Sequence, residues 1–119
     1  MLRSVAEAHP SPGTVVRAEG PFDDRFTITR LRLRPTAVTG VLTVTSDVSD
    51  LLELQVLAGF YDRRGRLLGT GRHVHHGPQH HEDSTGPPSE VERFSVTVPR
   101  RLRGEVVSAA VGVPVLVNE

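Results

Sequence analysis

One apolar run, Leu51 to Gly71, constrains the fold of this chain more than any other stretch. Its first half has apolar residues at every second position, namely Leu52, Leu54, Val56, Ala58 and Phe60. An extended backbone places all of them on one face, whereas a helix would spread them around its surface. The sequence Asp62-Arg63-Arg64-Gly65 then supplies a turn, because aspartate can cap its own backbone and glycine accepts a positive φ. The pattern predicts a central β-hairpin.

Similar alternation predicts the other strands, at 14–18, 26–33, 37–45, 66–76, 90–98 and 105–117. Phe26 and Ile28 alternate in one phase and Leu31 and Leu33 in the other, which predicts a β-bulge near Thr29–Arg30. In the last strand we expect Val107, Ala109, Val111, Val113 and Val115 on one face. Because several strands are apolar on both faces, two sheets packed face to face bury more surface than one. The sequence predicts an all-β fold, an antiparallel sandwich of six to seven strands.

Composition limits the domain count and the classes of partner. With 119 residues the chain has room for one domain, which we expect over residues 14–119, preceded by residues 1–13 as a flexible N-terminal arm or short cap. Fourteen basic residues, all arginine, balance 14 acidic ones, so no overall field attracts nucleic acid. Cysteine is absent, which excludes disulfides and thiolate chemistry. No apolar run is long enough for a secretion signal or a membrane span, so we expect a cytoplasmic protein, unless the chain is a fragment of a longer or exported one.

Three segments together resemble a known family. They are VTGVLTVTS at 38–46, QVLAGFYD at 55–62 and ERFSV at 92–96, and the similarity covers roughly residues 37–113. They resemble the FxLYD-type immunoglobulin-like domain of bacteria, although Ala58 stands where that family's first aromatic residue lies. The resemblance implies an immunoglobulin-like β-sandwich with a binding or scaffolding role and transfers no catalytic residue.

A cluster of histidines is the first candidate site. His73 and His75 lie two apart on a predicted strand, so both rings project from one face. With His80 and His81 from the following loop they could complete a site for zinc or another divalent metal. The alternative is a polar loop whose histidines are solvated. Metal binding is therefore the alternative to a function in protein interaction alone.

A stripe of arginines is the second candidate site. Arg30, Arg32 and Arg34 alternate with leucines, so they share one face of their strand. They form either a contact surface for an acidic partner or a solvated sheet face paired with carboxylates on neighbouring strands.

From these patterns we expect a non-catalytic protein-interaction or assembly module with no resident cofactor, no nucleic-acid partner and no membrane insertion. Apolar residues on the second faces of the strands need cover, either from helical or loop segments of the chain or from another copy: Leu51, Leu57, Val41 and Leu68. Because sandwich edges are also sites for strand addition, we expect self-association. No nucleophile elbow or paired carboxylates indicate an enzyme. We expect Tyr61 and Asp62 to be structural, with the tyrosine hydroxyl bonded to backbone and the aspartate setting the turn.

Overall fold

The structure, a computed structural model, describes residues 2–45, 51–76 and 91–118. Strands make up most of this part of the chain, which confirms the all-β prediction. They are β1 (Val15–Arg17), β2 (Phe26–Leu33), β3 (Ala37–Val44), β4 (Leu51–Tyr61), β5 (Leu67–His76), β6 (Val91–Thr97) and β7 (Ser108–Asn118). One short helix, α1 (Arg3–Ala6), precedes them, and 3-10 turns lie at Asp23–Arg25 and Arg100–Leu102. No helix in these described ranges is long and apolar enough to span a membrane.

The strands form two sheets, one of four strands in the order β1-β7-β4-β5 and one of three in the order β2-β3-β6. Every pairing is antiparallel except that of β1 with β7, which is parallel. Apolar side chains from both sheets meet in one core. The fully buried members include Val38, Leu42, Val44, Leu54, Val56, Ala58, Phe60, Val96, Ala109 and Val111.

Strands β4 and β5 form the predicted central hairpin. The prediction is wrong only at the start of β4. Leu51, which the alternation places on the outer face, is only 2% exposed and lies in the main core. Leu52, predicted inward, is half-buried. The pairing of β4 with β7 shifts between Leu51 and Glu53, and an extra residue in one strand reverses the faces beyond it.

A second bulge changes the facing of β7. Gln55 pairs with Val115 and Leu57 with Gly112, so β7 has one residue more than β4 between these pairs. Leu116, rather than the predicted Val115, therefore enters the core, where it is 3% exposed. Val107 lies just before the strand and is half-buried. The prediction for Ala109, Val111 and Val113 is confirmed.

The opposite face of β4 and β7 is also buried, and the N-terminal segment covers it. Val5 in α1 is fully buried and packs with Leu57, Tyr61 and Ala110. Of the two forms expected for this segment, loose arm or short cap, the structure has a cap over residues 3–6. The chain itself therefore covers Leu57, which sequence reasoning left in need of a partner.

Two glycines allow α1 to lie this close to the sheet. A Cβ atom on Gly59 of β4 would stand 2.9 Å from Val5 Cγ1, and one on Gly112 of β7 would stand 2.7 Å from Leu2 Cδ1. Both separations are too short for a real side chain, so the missing Cβ atoms create the seat for the helix. Gly71 similarly leaves room for Val96 on β6.

Tyr61 fixes the arm to the end of β4. Its buried hydroxyl donates to the carbonyl oxygen of Val5 and accepts the backbone N–H of Ala8 at 3.2 Å. Ser108 adds a second bond, from its buried Oγ to the carbonyl of Pro10 at 3.2 Å. The structural role expected for Tyr61 is confirmed, since this hydroxyl satisfies backbone groups that would otherwise be buried without partners.

The variant Tyr61→Phe tests this anchor. It leaves the Val5 carbonyl and the Ala8 N–H without their partner, so we expect the free energy of unfolding to fall by about 1–2 kcal/mol. Urea denaturation measures the change, and hydrogen exchange at Ala8 should accelerate in the variant. An unchanged unfolding curve would show that the hydroxyl does not hold the arm.

Candidate functional site

The arginine stripe lies on β2, and a bulge in that strand sets its position. Thr29 pairs with Val41 and Arg32 with Thr39, so two residues of β2 oppose one of β3 between these pairs. The predicted bulge is confirmed. Arg30, inside it, has a φ of 55°, a left-handed conformation that is uncommon for a residue with a side chain. The extra residue turns Leu31 inward toward the core.

The outer face of the three-stranded sheet holds an open depression of about 360 Å³. Arg30, Arg32 and Arg34 all line it, so the structure brings the three predicted residues together. Thr39 and Val41 of β3 also contribute to its lining. The surface has a neutral middle strand and cationic side chains around it.

A fourth arginine completes this surface. Arg93 of β6 pairs across the sheet with Val41 and lines the same depression. Sequence reasoning missed it, although the inward phase of Phe94 and Val96 implied that Arg93 points outward. What the sequence lacked was the pairing of β6 with β3, which joins residues more than 50 positions apart. We call Arg30, Arg32, Arg34 and Arg93 the arginine face.

The arginine face has no counter-charge in the described part of the chain. None of its four guanidinium groups has a hydrogen-bond or ion-pair partner there. Other arginines do, since Arg17 pairs with Asp23 at 3.6 Å and Arg66 with Asp62 at 3.2 Å. Grouped cations that form no ion pair within the described residues favour a local positive potential even on a chain of zero formal charge.

The histidine cluster has a different geometry from the one expected. His73 Nε2 lies 2.8 Å and His75 Nδ1 3.2 Å from the same oxygen, Oε2 of Glu92 on β6. The backbone N–H of Ser95 donates to His73 Nδ1 at 3.4 Å, so in neutral His73 the proton is on Nε2 and is donated to Glu92. Since β5 and β6 belong to different sheets, these bonds join the two layers along one side.

The structure describes only part of the expected metal-ligand set. His80 and His81 lie outside the described residues. Within residues 2–45, 51–76 and 91–118, no group of three or more His, Cys, Asp or Glu is arranged to hold a metal ion. His73 Nε2 forms a hydrogen bond with Glu92, and His75 Nδ1 lies within 3.2 Å of the same carboxylate oxygen.

The hairpin corner confirms the structural role expected for Asp62. Its Oδ1 accepts the backbone N–H groups of Arg64 at 2.8 Å and Arg66 at 2.9 Å. These bonds, chiefly the one from Arg66, favour the charged carboxylate and lower the pKa of Asp62 below its ordinary value of 3.8. Gly65 completes the turn with a φ of 78°.

Comparisons with protein-family models, with curated proteins and with solved structures found no match for this chain.

Replacing Asp62 with asparagine should change how the melting temperature of the protein depends on pH. Because the folded-state pKa of Asp62 is lowered, its stabilisation is present above about pH 3.8 and is lost as pH falls through the folded-state pKa. We expect Asp62→Asn to melt at a lower temperature than the unaltered chain at pH 6, with the difference shrinking as the pH falls below 3.8. A melting-temperature difference that does not shrink as the pH falls below 3.8 would contradict this assignment.

Truncating Glu92 tests the bond between the layers. Glu92→Ala leaves the half-buried His73 imidazole without its hydrogen-bond partner and removes the close contact to His75, and we expect the free energy of unfolding to fall by about 1–2 kcal/mol. Glu105→Ala is the control, because Glu105 is exposed and its change should stay within about 0.5 kcal/mol. Chemical denaturation of the three proteins gives the comparison, and equal values for the two variants would remove any role of Glu92 in stability.

Proposed function

We propose that this chain is a non-catalytic protein-interaction module and that an acidic protein partner binds to its arginine face. Four guanidinium groups that have no ion-pair partner among the described residues surround one depression, and this grouping carries the proposal. Arginine offers a planar fork of donors that matches a carboxylate in a bidentate contact. Like charges brought together repel one another and do not stabilise the fold. A partner that carries carboxylates would offset this repulsion.

The arginine face is suited to binding rather than to turnover. Guanidinium groups stay protonated throughout the physiological pH range, so they neither donate nor accept a proton in a reaction. Thr39 and Val41 form the floor between them and add no acid or base. We therefore propose no enzymatic activity for this surface.

An immunoglobulin-like sandwich of the FxLYD type is the architecture we propose. Two pairings support it: β3 with β6, and β4 with β7, so that the chain crosses between the layers as Greek-key connections do. With β2, β3 and β6 in one sheet, these strands follow the order in which the first, second and fifth strands of an immunoglobulin domain pair. The parallel strand β1 occupies the edge next to β7, where the last antiparallel strand of that fold would lie.

An acidic partner is favoured over a second copy of the chain as the occupant of this surface. The reason to expect self-association was uncovered apolar surface, yet α1 covers Leu57 and the main core takes in Leu51. Val41 remains partly exposed, but it lies among the arginines, where the arginine face of a second copy would be repelled. A cytoplasmic location is part of the same proposal.

Charge reversal on the arginine face tests the proposal. The probe is a fluorescein-labelled hexaglutamate peptide, followed by anisotropy at low and physiological salt. We expect binding that weakens with salt and that becomes at least tenfold weaker in the triple variant Arg30→Glu, Arg32→Glu, Arg34→Glu. Each lost charge-assisted contact is worth on the order of 1.5–3 kcal/mol before screening. The loss of three such contacts should therefore lower the affinity by more than a factor of about ten even after screening.

A second triple variant separates the surface from overall charge. Arg64→Glu, Arg100→Glu and Arg101→Glu make the same change in formal charge at exposed positions outside the depression. We expect its affinity to stay within twofold of the unaltered chain. Equal losses in both variants would show that only net charge matters. If a single-stranded oligonucleotide of equal charge binds more tightly than the hexaglutamate peptide, the partner is a nucleic acid and not a protein.

A further inference from the structure

A second depression, of about 680 Å³, adjoins the arginine face at the end where β2 turns into β3. Arg34 lines both depressions, so they lie next to each other. The second one is walled by apolar residues from separate parts of the chain, chiefly Pro12, Leu33, Pro35 and Val106. The second depression is therefore mainly apolar, whereas the first is lined by arginines, and Arg34 lines both.

The walls of this second depression are preformed. Leu33 and Val106 are half-buried and pack against the main core. The backbone N–H of Gly13, beside Pro12, donates to the carbonyl of Val107 at 2.7 Å, which ties the arm to the segment before β7. Arg34 exchanges two backbone hydrogen bonds with Ala37, which closes the turn that holds Pro35. A ligand entering here does not have to order the site first.

The rim of the second depression is cationic. Arg63, from the hairpin turn, lines it opposite the segment that carries Arg34, and both side chains are exposed. Neither guanidinium has a hydrogen-bond or ion-pair partner in the described ranges. An apolar ligand without an anionic group would leave these charges unmatched beside it.

Because the two depressions are adjacent and share Arg34, we infer that the partner presents an extended segment in which acidic residues are followed closely by an apolar side chain. The inference rests on the proposed function and specifies its partner. The acidic residues lie along the arginine face from Arg93 and Arg30 to Arg34, and the apolar side chain enters the second depression under Arg63.

A peptide fits this arrangement better than a small anionic amphiphile. A single headgroup can contact one or two guanidinium groups, whereas the two depressions together present five, on Arg30, Arg32, Arg34, Arg93 and Arg63. Carboxylates repeated along a chain match a row of cations. The apolar side chain contributes both affinity and direction, because only one orientation of the segment places it in the second depression.

Two labelled peptides test the inference on the full chain. The first carries four glutamates followed by glycine and two leucines, and the second replaces both leucines with serine. We expect the first to bind at least tenfold more tightly, since burial of one leucine side chain alone accounts for a factor of about ten. Arg63→Glu should weaken the first peptide about fivefold, whereas Arg64→Glu, its neighbour outside the second depression, should leave it within twofold.

The outcomes separate this inference from the proposed function. If both peptides bind equally and Arg32→Glu weakens both, the arginine face stands and the apolar anchor is wrong. If Arg32→Glu changes the affinity for neither peptide, both the proposed function and this inference fail. If Arg63→Glu and Arg64→Glu have equal effects, the second depression takes no part. If dodecanoate binds more tightly than the first peptide and displaces it from the unaltered chain but not from Arg63→Glu, the occupant is a small amphiphile and the peptide inference is overturned.

Discussion

Burial of both faces of β4 is the constraint on which the rest of this structure depends. The strand lies between β7 and β5, and from Val56 to Tyr61 every residue is buried. One face meets the three-stranded sheet, and the other needs a separate cover, which α1 provides through Val5. The two covers differ in kind. A whole sheet closes the inner face, whereas a four-residue helix closes the outer one, held by the Tyr61 hydroxyl and seated on two glycines.

The arginine face follows from the same arrangement. The three-stranded sheet uses its inner side for the core, and its outer side, unlike that of β4, is left to solvent. A solvated sheet face with one arginine beside another would normally be balanced by carboxylates on the next strand. Here β3 offers Thr39 and Val41 instead, so the charges stay unpaired within the described chain. Exposure keeps the cost of this repulsion small, because water and salt screen it until a partner excludes them.

Local alternation in the sequence predicted most strands, the central hairpin and the bulge at Arg30, because these depend on neighbouring residues. It failed where two strands must fit each other. The bulges that bring Leu51 and Leu116 inward are set by the pairing of β4 with β7, which joins segments far apart in sequence. Arg93 and Glu92 were missed for the same reason, since their partners lie on β3 and β5. The helix at Arg3–Ala6 is too short for a helical period to be visible.

The arginine face has no ion-pair partner among the described residues, and we propose that it binds carboxylates. Arginine Nε–Hε resonances, assigned by substitution and recorded with and without a tetraglutamate peptide, test this proposal. We expect the signals of Arg30, Arg32, Arg34 and Arg93 to shift together in a saturable manner, while those of Arg17 and Arg66, already paired with aspartates, stay in place. Shifts spread evenly over all arginines, or none at these four, would contradict it.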